Sequence, residues 1–259
     1  MPRETKLMRL LQPEDSRFIL EGATSILVVS DVHYELGSHH GVDESGAFEW
    51  LLKTAERTKP DFLVGLGDWG NAWTMSEWFD LASNVRIFMI YGNHDNIQLL
   101  NGVVNSDGRK ALVEDGGIRA IGGLRFGFVN GIVSETKPMK QGVPRKTARG
   151  YVQAASRLSN VDVLCTHESP FVPEYEGRIH PSAGTEAVGG IIERLKPRLA
   201  LSGHLSGPYT LSRMSETLSL RIDSSPAEQH FAMLELPEGA LQVYHDRELV
   251  LETAFGHDR

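Results

Sequence analysis

Apolar positions along this chain fall into short blocks, and five of the blocks break off at a polar tip. Residues 25–30 form a β-branched run that ends in Asp31-Val32-His33. Residues 61–66 end in Gly67-Asp68, and the run Val85, Ile87, Phe88, Met89, Ile90, Tyr91 ends in Gly92-Asn93-His94-Asp95. Residues 161–166 end at His167, and residues 199–202 end in Gly203-His204. Short, nearly continuous apolar runs predict strands covered on both faces, because neither face of such a strand meets water.

Between these blocks the period changes. Phe48, Leu51, Leu52 and Ala55 share one helical face over 47–58, and Pro60 closes the segment. Residues 75–83, 148–158 and 186–195 read as further helices, the last stopped by Pro197, and 96–100 as a single helical turn. Strand–helix alternation through the first hundred residues predicts a parallel sheet. The pattern then shifts. Residues 118–121 and 124–129 flank Gly122-Gly123, a two-residue hairpin signal. Residues 209–214, 218–222, 231–236 and 240–245 read as strands joined by polar turns such as Pro237-Glu238-Gly239, which suggests a second, mostly antiparallel sheet. Residues 17–20 read as a short edge strand. The expected architecture is α/β, one domain over 1–259 with helices outside two sheets and a mostly antiparallel part from about 208.

Composition narrows the class. The chain has 259 residues, 41% hydrophobic and 23% charged, enough for a sizeable core. The formal net charge of -8 argues against non-specific nucleic-acid binding, which needs cations facing phosphate, although bound divalent metals reverse the sign locally. The one cysteine, Cys165, permits no intrachain disulfide and sits in an apolar run, so it reads as a core residue. Residues 1–12 scatter charge and lack the apolar stretch of a secretory signal, and no run approaches the roughly 20 apolar residues of a membrane span. The expectation is a soluble cytoplasmic protein.

The polar tips carry the chemistry. Asp31, His33, Asp68, Asn93, His94, Asp95, His167 and His204 all stand at the ends of predicted strands. Carboxyl ends of buried strands are where open α/β sheets place ligands. In Asp31-Val32-His33 the i, i+2 spacing puts both polar side chains on one side of extended backbone and Val32 on the other. Oxygen and imidazole donors without thiolates suit Mn, Fe or Zn. Gathering so many carboxylates and imidazoles is costly unless a cation joins them.

These motifs resemble the signature of the calcineurin-like metallophosphoesterases: D-x-H, G-D, G-N-H-[DE], a lone H, then G-H-x-H. Here they stand as Asp31-Val32-His33, Gly67-Asp68, Gly92-Asn93-His94-Asp95, His167 and Gly203-His204-Leu205-Ser206. The resemblance covers 26–206 and implies a four-layer α-β-β-α sandwich of two mixed sheets with helices outside. It also implies two divalent metal ions, Mn or Fe with Zn as a further option. Asp31 and His33 would bind the first, Asp68 would bridge, and Asn93, His167 and His204 would bind the second. A metal-bridging hydroxide would then hydrolyse a phosphomonoester or phosphodiester. His94 would assist the leaving group, with Asp95 holding its ring.

One position departs from the pattern. Ser206 stands where the family has its last histidine, a ligand of the first metal. Three protein ligands still make a catalytic site, with weaker affinity. His39, His40 and His180 lie in loops and are alternative ligands, though a solvent-facing role is the simpler reading. Trp69 and Trp73 read as packing residues rather than a stacking platform. Asn71 stands near the site, and the basic segment 137–149 either meets substrate phosphate or is a solvated charge run. The expected partner is a small phosphoester or a nucleotide, with nucleic acid not favoured, no membrane, and the oligomeric state left open. The competing reading is a non-catalytic binding scaffold with an incomplete first metal site. A protein phosphatase is disfavoured, because Gly67-Asp68 continues as Trp69-Gly70-Asn71.

Overall fold

Alternation along the first strand sets the layering. The computed structural model describes residues 24–39, 41–177 and 179–256. In β1 (Thr24–Val29), Ile26 and Val28 enter one buried cluster while Leu27 and Val29 enter another. Successive side chains of a strand point to opposite faces, so a strand apolar at every position must be covered twice.

The first half winds as the periodicity predicts. β1 is followed by α1 (Ala47–Thr58), β2 (Phe62–Gly65), α2 (Met75–Asn84) and β3 (Arg86–Met89). β1, β2 and β3 run parallel to one another. Leu51 and Ala55 of α1, with Trp78 and Leu81 of α2, cover the outer face of this sheet. Thr74 and Glu77 form a reciprocal capping box at the start of α2, which satisfies amide donors that have no partner inside the helix. α1 ends on Lys59 at φ 48°, directly before Pro60.

The second sheet begins with β4 (Ile118–Ile121) and β5 (Leu124–Val129), joined at Gly122-Gly123 as an antiparallel hairpin. Next come α3 (Ala148–Ala154), β6 (Val163–Thr166), α4 (Ala183–Leu195) and β7 (Leu199–Ser202). α3 is shorter than the 148–158 expected, since residues 155–157 tighten into a 3₁₀ turn. α4 starts earlier than expected, because Ser182 and Thr185 cap it reciprocally.

The C-terminal strands do not build a sheet of their own. β8 (Thr210–Met214) and β9 (Thr217–Arg221) extend the second sheet, where β9 lies parallel to β7. β10 (His230–Leu236), β11 (Ala240–His245) and β12 (Glu248–Ala254) extend the first, where β10 pairs antiparallel with β1. The orders are β12-β11-β10-β1-β2-β3 and β8-β9-β7-β6-β5-β4, so both sheets are mixed. β12 was not among the expected strands: it is an edge strand with Leu249 and Val250 exposed. Residues 139–144 form a small ribbon inside the basic segment, and Ser38–His39 pairs with Val42–Asp43 in another. The edge strand expected over 17–20 lies outside the described residues.

The sheets pack face to face over Ile26, Val28, Val64 and Phe88 from one side and Phe126, Phe128, Val163 and Leu201 from the other. Each fully buried aliphatic chain contributes about 1.5–3 kcal/mol. α3 and α4 cover the far face of the second sheet through Tyr151, Val188 and Ile191 against Leu164 and Ala200. Cys165 is buried in the inter-sheet core, and burial pushes its thiol pKa well above the ordinary value. The result is the expected α-β-β-α sandwich. Among the described residues no helix is long and apolar enough to cross a membrane.

Candidate metal centre

Strand ends bring the polar tips together. Asp31, Asp68 and Asn93 follow the carboxyl ends of β1, β2 and β3; His167 and His204 follow β6 and β7. Two groups of ligand atoms result, Asp31–His33–Asp68 and Asp68–His167–His204, each with its atoms within 4.8 Å of one another. Asp68 belongs to both. His33 Nε2 lies 3.8 Å from Asp31 Oδ1 and 3.9 Å from Asp68 Oδ2, and His167 Nε2 lies 3.3 Å from the same Asp68 oxygen.

The backbone is bent to make this convergence. Asp31, His33, Asp68 and His204 all adopt positive φ, at 55°, 49°, 54° and 70°. Non-glycine residues rarely hold this conformation, and where they do the surrounding structure must impose it. Gly92 is required by close approach: a Cβ there would sit 2.1 Å from Asp68 Oδ1 and 2.6 Å from His167 Nε2.

Hydrogen bonds fix each donor. Asp68 Oδ1 accepts from the amides of Asn93 (2.5 Å) and His94 (2.7 Å), leaving Oδ2 toward the histidines. Asp31 Oδ2 accepts from Ser30 Oγ and from the amide of His204. His167 Nδ1 sits 2.8 Å from the carbonyl of Leu66. Donating there places the free lone pair on Nε2, the arrangement a metal-bound imidazole uses. His167 Nε2 and Asn93 Oδ1 are buried without a hydrogen-bond partner. Orphaned buried polar atoms demand a partner, and a cation among Asp68, His167 and His204 would supply one. The donor set therefore fits divalent metal ions.

Titration behaviour shows the same strain. Burial pushes Asp31 up to about 7. Burial would raise Asp68 too, but His167, His33 and His94 hold it well below the carboxylate range. Burial would lower His167, yet Asp68, Asp31 and Asp95 outweigh it and raise its pKa to about 10. His204 falls to about 4, by burial first and then by the charge of His167.

Other residues depart from expectation. The carboxylate of Asp95 accepts from the backbone amides of Asp68, Trp69 and Gly92. It clamps the two turns together, and among the described residues no hydrogen bond joins it to the ring of His94, which it was expected to hold. His94 stands edge-on to His33, ring centroids 5.6 Å apart, and lines the cavity. Trp69 and Trp73 are buried with Trp78, the Trp73 and Trp78 rings stacked at 4.1 Å. They pack the fold, as expected. Asn71 is tied to Glu35 at the cavity wall. The basic segment divides: Lys140 lines the cavity, whereas Lys146 is bound to Asp115 and the carbonyl of Asn130. His180 is exposed and in neither ligand group; His40 and the side chain of His39 lie outside the described residues.

The cavity over the centre measures about 820 Å³ and is lined by Asp31, His33, Asp68, Asn93, His94 and His204. Ser206 and Asp223 line it too. Asp223 was not anticipated, although the run 218–222 ends on it as earlier runs end on Asp31 and Asp68.

A sequence profile described as calcineurin-like phosphoesterase matches residues 24–208. The chain belongs to that family. Membership makes this phosphoesterase a hydrolase of phosphoesters at the level of the superfamily and implies divalent metal ions. No curated protein matches the chain in sequence. Among solved structures it is similar to TT1561 of Thermus thermophilus, with a TM-score of 0.64 and 16% identity over 87% of this chain and 100% of that one. GAP50, described as the anchor in the inner membrane complex of Plasmodium, gives 0.58 and 11% over 92% and 90%. A dimetal phosphatase from Danio rerio gives 0.56 and 13% over 90% and 99%. Identities this low establish a shared fold.

Proposed function

We propose that this phosphoesterase hydrolyses a phosphomonoester or phosphodiester at a two-cation centre. The observation that carries the reading is the double membership of Asp68 in two convergent ligand groups. Asp31, His33 and Asp68 would hold the first cation, and Asp68, Asn93, His167 and His204 the second. Mn or Fe suits these donors best, with Zn a further option. When bound, such a pair supplies charge neutralisation at the phosphate and lowers the pKa of the attacking water.

The chain's own residues do the rest. Asp68 Oδ1 grips the amides of Asn93 and His94, so the turn bearing the ligand Asn93 and the ring of His94 moves as one unit. His94, half-buried at the cavity wall, is placed to protonate the leaving oxygen or to stabilise charge on it. Lys140 offers a cation across the cavity. Glu35, Glu44 and Glu228 on the other walls disfavour a long polyanion, so a small phosphoester or a nucleotide fits better than nucleic acid. A cytoplasmic location is part of this reading.

The test is hydrolysis of p-nitrophenyl phosphate and bis-p-nitrophenyl phosphate by metal-stripped protein, with and without Mn²⁺, alongside metal analysis. Metal-dependent turnover of either ester is expected. Two bound metals with no turnover on a broad phosphoester panel would favour the second reading, a binding scaffold. The observation behind that alternative is Ser206, which leaves the first site one histidine short of the family pattern.

A further inference from the structure

The second sheet contributes a carboxylate to the cavity that the family pattern does not include. Asp223 lies just beyond the carboxyl end of β9, which runs parallel to β7. It thus occupies a strand tip of the same kind as those bearing His167 and His204. It is 3% exposed and lines the same cavity as Asp31, His33 and Ser206.

Its place beside the first ligand group is fixed from two sides. The amide of the next residue, Ser224, donates to the carbonyl of Ser30 at 2.7 Å, and Ile222 N donates to the carbonyl of Ser202 at 3.0 Å. Asp223 is therefore stitched between the tip carrying Asp31 and the tip carrying His204. Its Oδ2 accepts from the amide of Gly207, the neighbour of Ser206, and its Oδ1 from Ser225. Two residues earlier, the buried Arg221 donates to the carbonyls of Leu205, Gly207 and Pro208. The turn that carries His204 and Ser206 is thus held at its amide and at its carbonyls by one strand end.

We propose that Asp223 compensates for Ser206, supplying from outside the direct ligand set the negative charge that holds the first cation. This rests on the two-cation reading above. Asp223 belongs to neither convergent group, so it acts by charge rather than as a direct ligand. A buried, fixed anion on the wall of the same cavity favours a cation there.

Calorimetric titration of the metal-stripped full chain with Mn²⁺ tests it. The native protein is expected to show two unequal sites. Asp223→Asn should weaken the weaker one roughly 10- to 100-fold, the range for groups behind metal ligands, and leave the tighter one unchanged. Asp223→Glu keeps the charge but disturbs the two amide bonds, so it should hold the weaker site within about threefold of native. It carries the test if Asp223→Asn does not fold by circular dichroism. Unchanged titration in Asp223→Asn, or an equal loss at both sites, overturns the proposal, as does an Asp223→Glu protein as weak at that site as Asp223→Asn. A native protein that binds no Mn²⁺ would instead sink the two-cation reading, and this inference with it.

Discussion

Asp68 and His167 come from different sheets, yet Oδ2 of one lies 3.3 Å from Nε2 of the other. The contact joins the two halves of the sandwich at the ligand end of their parallel strands. It also gives metal-free protein a proton that a cation would displace, since metal binding to imidazole releases protons.

A pH dependence follows. The pKa of folded, metal-free His167 is raised to about 10 by Asp68, Asp31 and Asp95 against the opposing effect of burial. An unfolded histidine titrates near 6.5. Between these values the folded chain keeps a proton that the unfolded chain has lost, so stability falls as pH rises. The melting temperature in EDTA should therefore drop between about pH 7 and 9. Saturating Mn²⁺, which takes the place of that proton, should remove the drop. A flat profile in EDTA would count against the His167–Asp68 pairing.

His204→Ala tests the second ligand group. His204 and His167 converge with Asp68, and losing one imidazole should cost about one bound metal per chain together with activity. Unchanged metal content by atomic emission would remove His204 from the centre.

His94→Asn separates chemistry from binding. The variant should keep its metals and slow turnover about 10²–10⁴-fold, the usual span for general acid–base help. The deficit should shrink for esters with good leaving groups, which need no proton. An equal deficit across leaving groups would make His94 an electrostatic residue instead.

Ser206→His should tighten the weaker metal site, because neutral imidazole is a better ligand than an alcohol for Mn, Fe and Zn. The rate need not rise, since a tighter site also holds product longer. Equal affinities in the unaltered protein would contradict the premise.

Gly92→Ala probes the close approach beneath the centre. The added methyl would collide with Asp68 Oδ1 at 2.1 Å and His167 Nε2 at 2.6 Å. Asp68 and His167 cannot both keep their places, so Mn²⁺ affinity should fall at least tenfold and thermal stability by a few degrees, on the order of 1–3 kcal/mol for an overpacked buried site. Native-like titration would show that the tip yields freely.

Much of this was legible along the chain because buried parallel strands write themselves as continuous apolar runs, and the residue that ends each run is the one presented to a ligand. Asp31, Asp68, Asn93, His167 and His204 are found that way, and so are the helices that Pro60 and Pro197 stop. Asp223 obeys the same rule at the end of the run 218–222, beyond the motifs of 26–206. What the chain by itself could not specify is which sheet each C-terminal strand would join. β8 and β9 go to one and β10–β12 to the other, because both sheets have apolar faces to bury and local pattern does not name the partner. β12 carries only the short run Leu249-Val250-Leu251, too brief to name a strand by itself, and its place at the sheet edge was decided by pairing with β11. The task of Asp95 was likewise decided in three dimensions: adjacency to His94 suggested a partner for the ring, but the folded turns bring the amides of Asp68, Trp69 and Gly92 to its oxygens. Sequence determines which groups stand at strand ends; only packing of the two sheets decides which of those groups meet, because the meeting depends on the register and stacking of segments far apart in the chain.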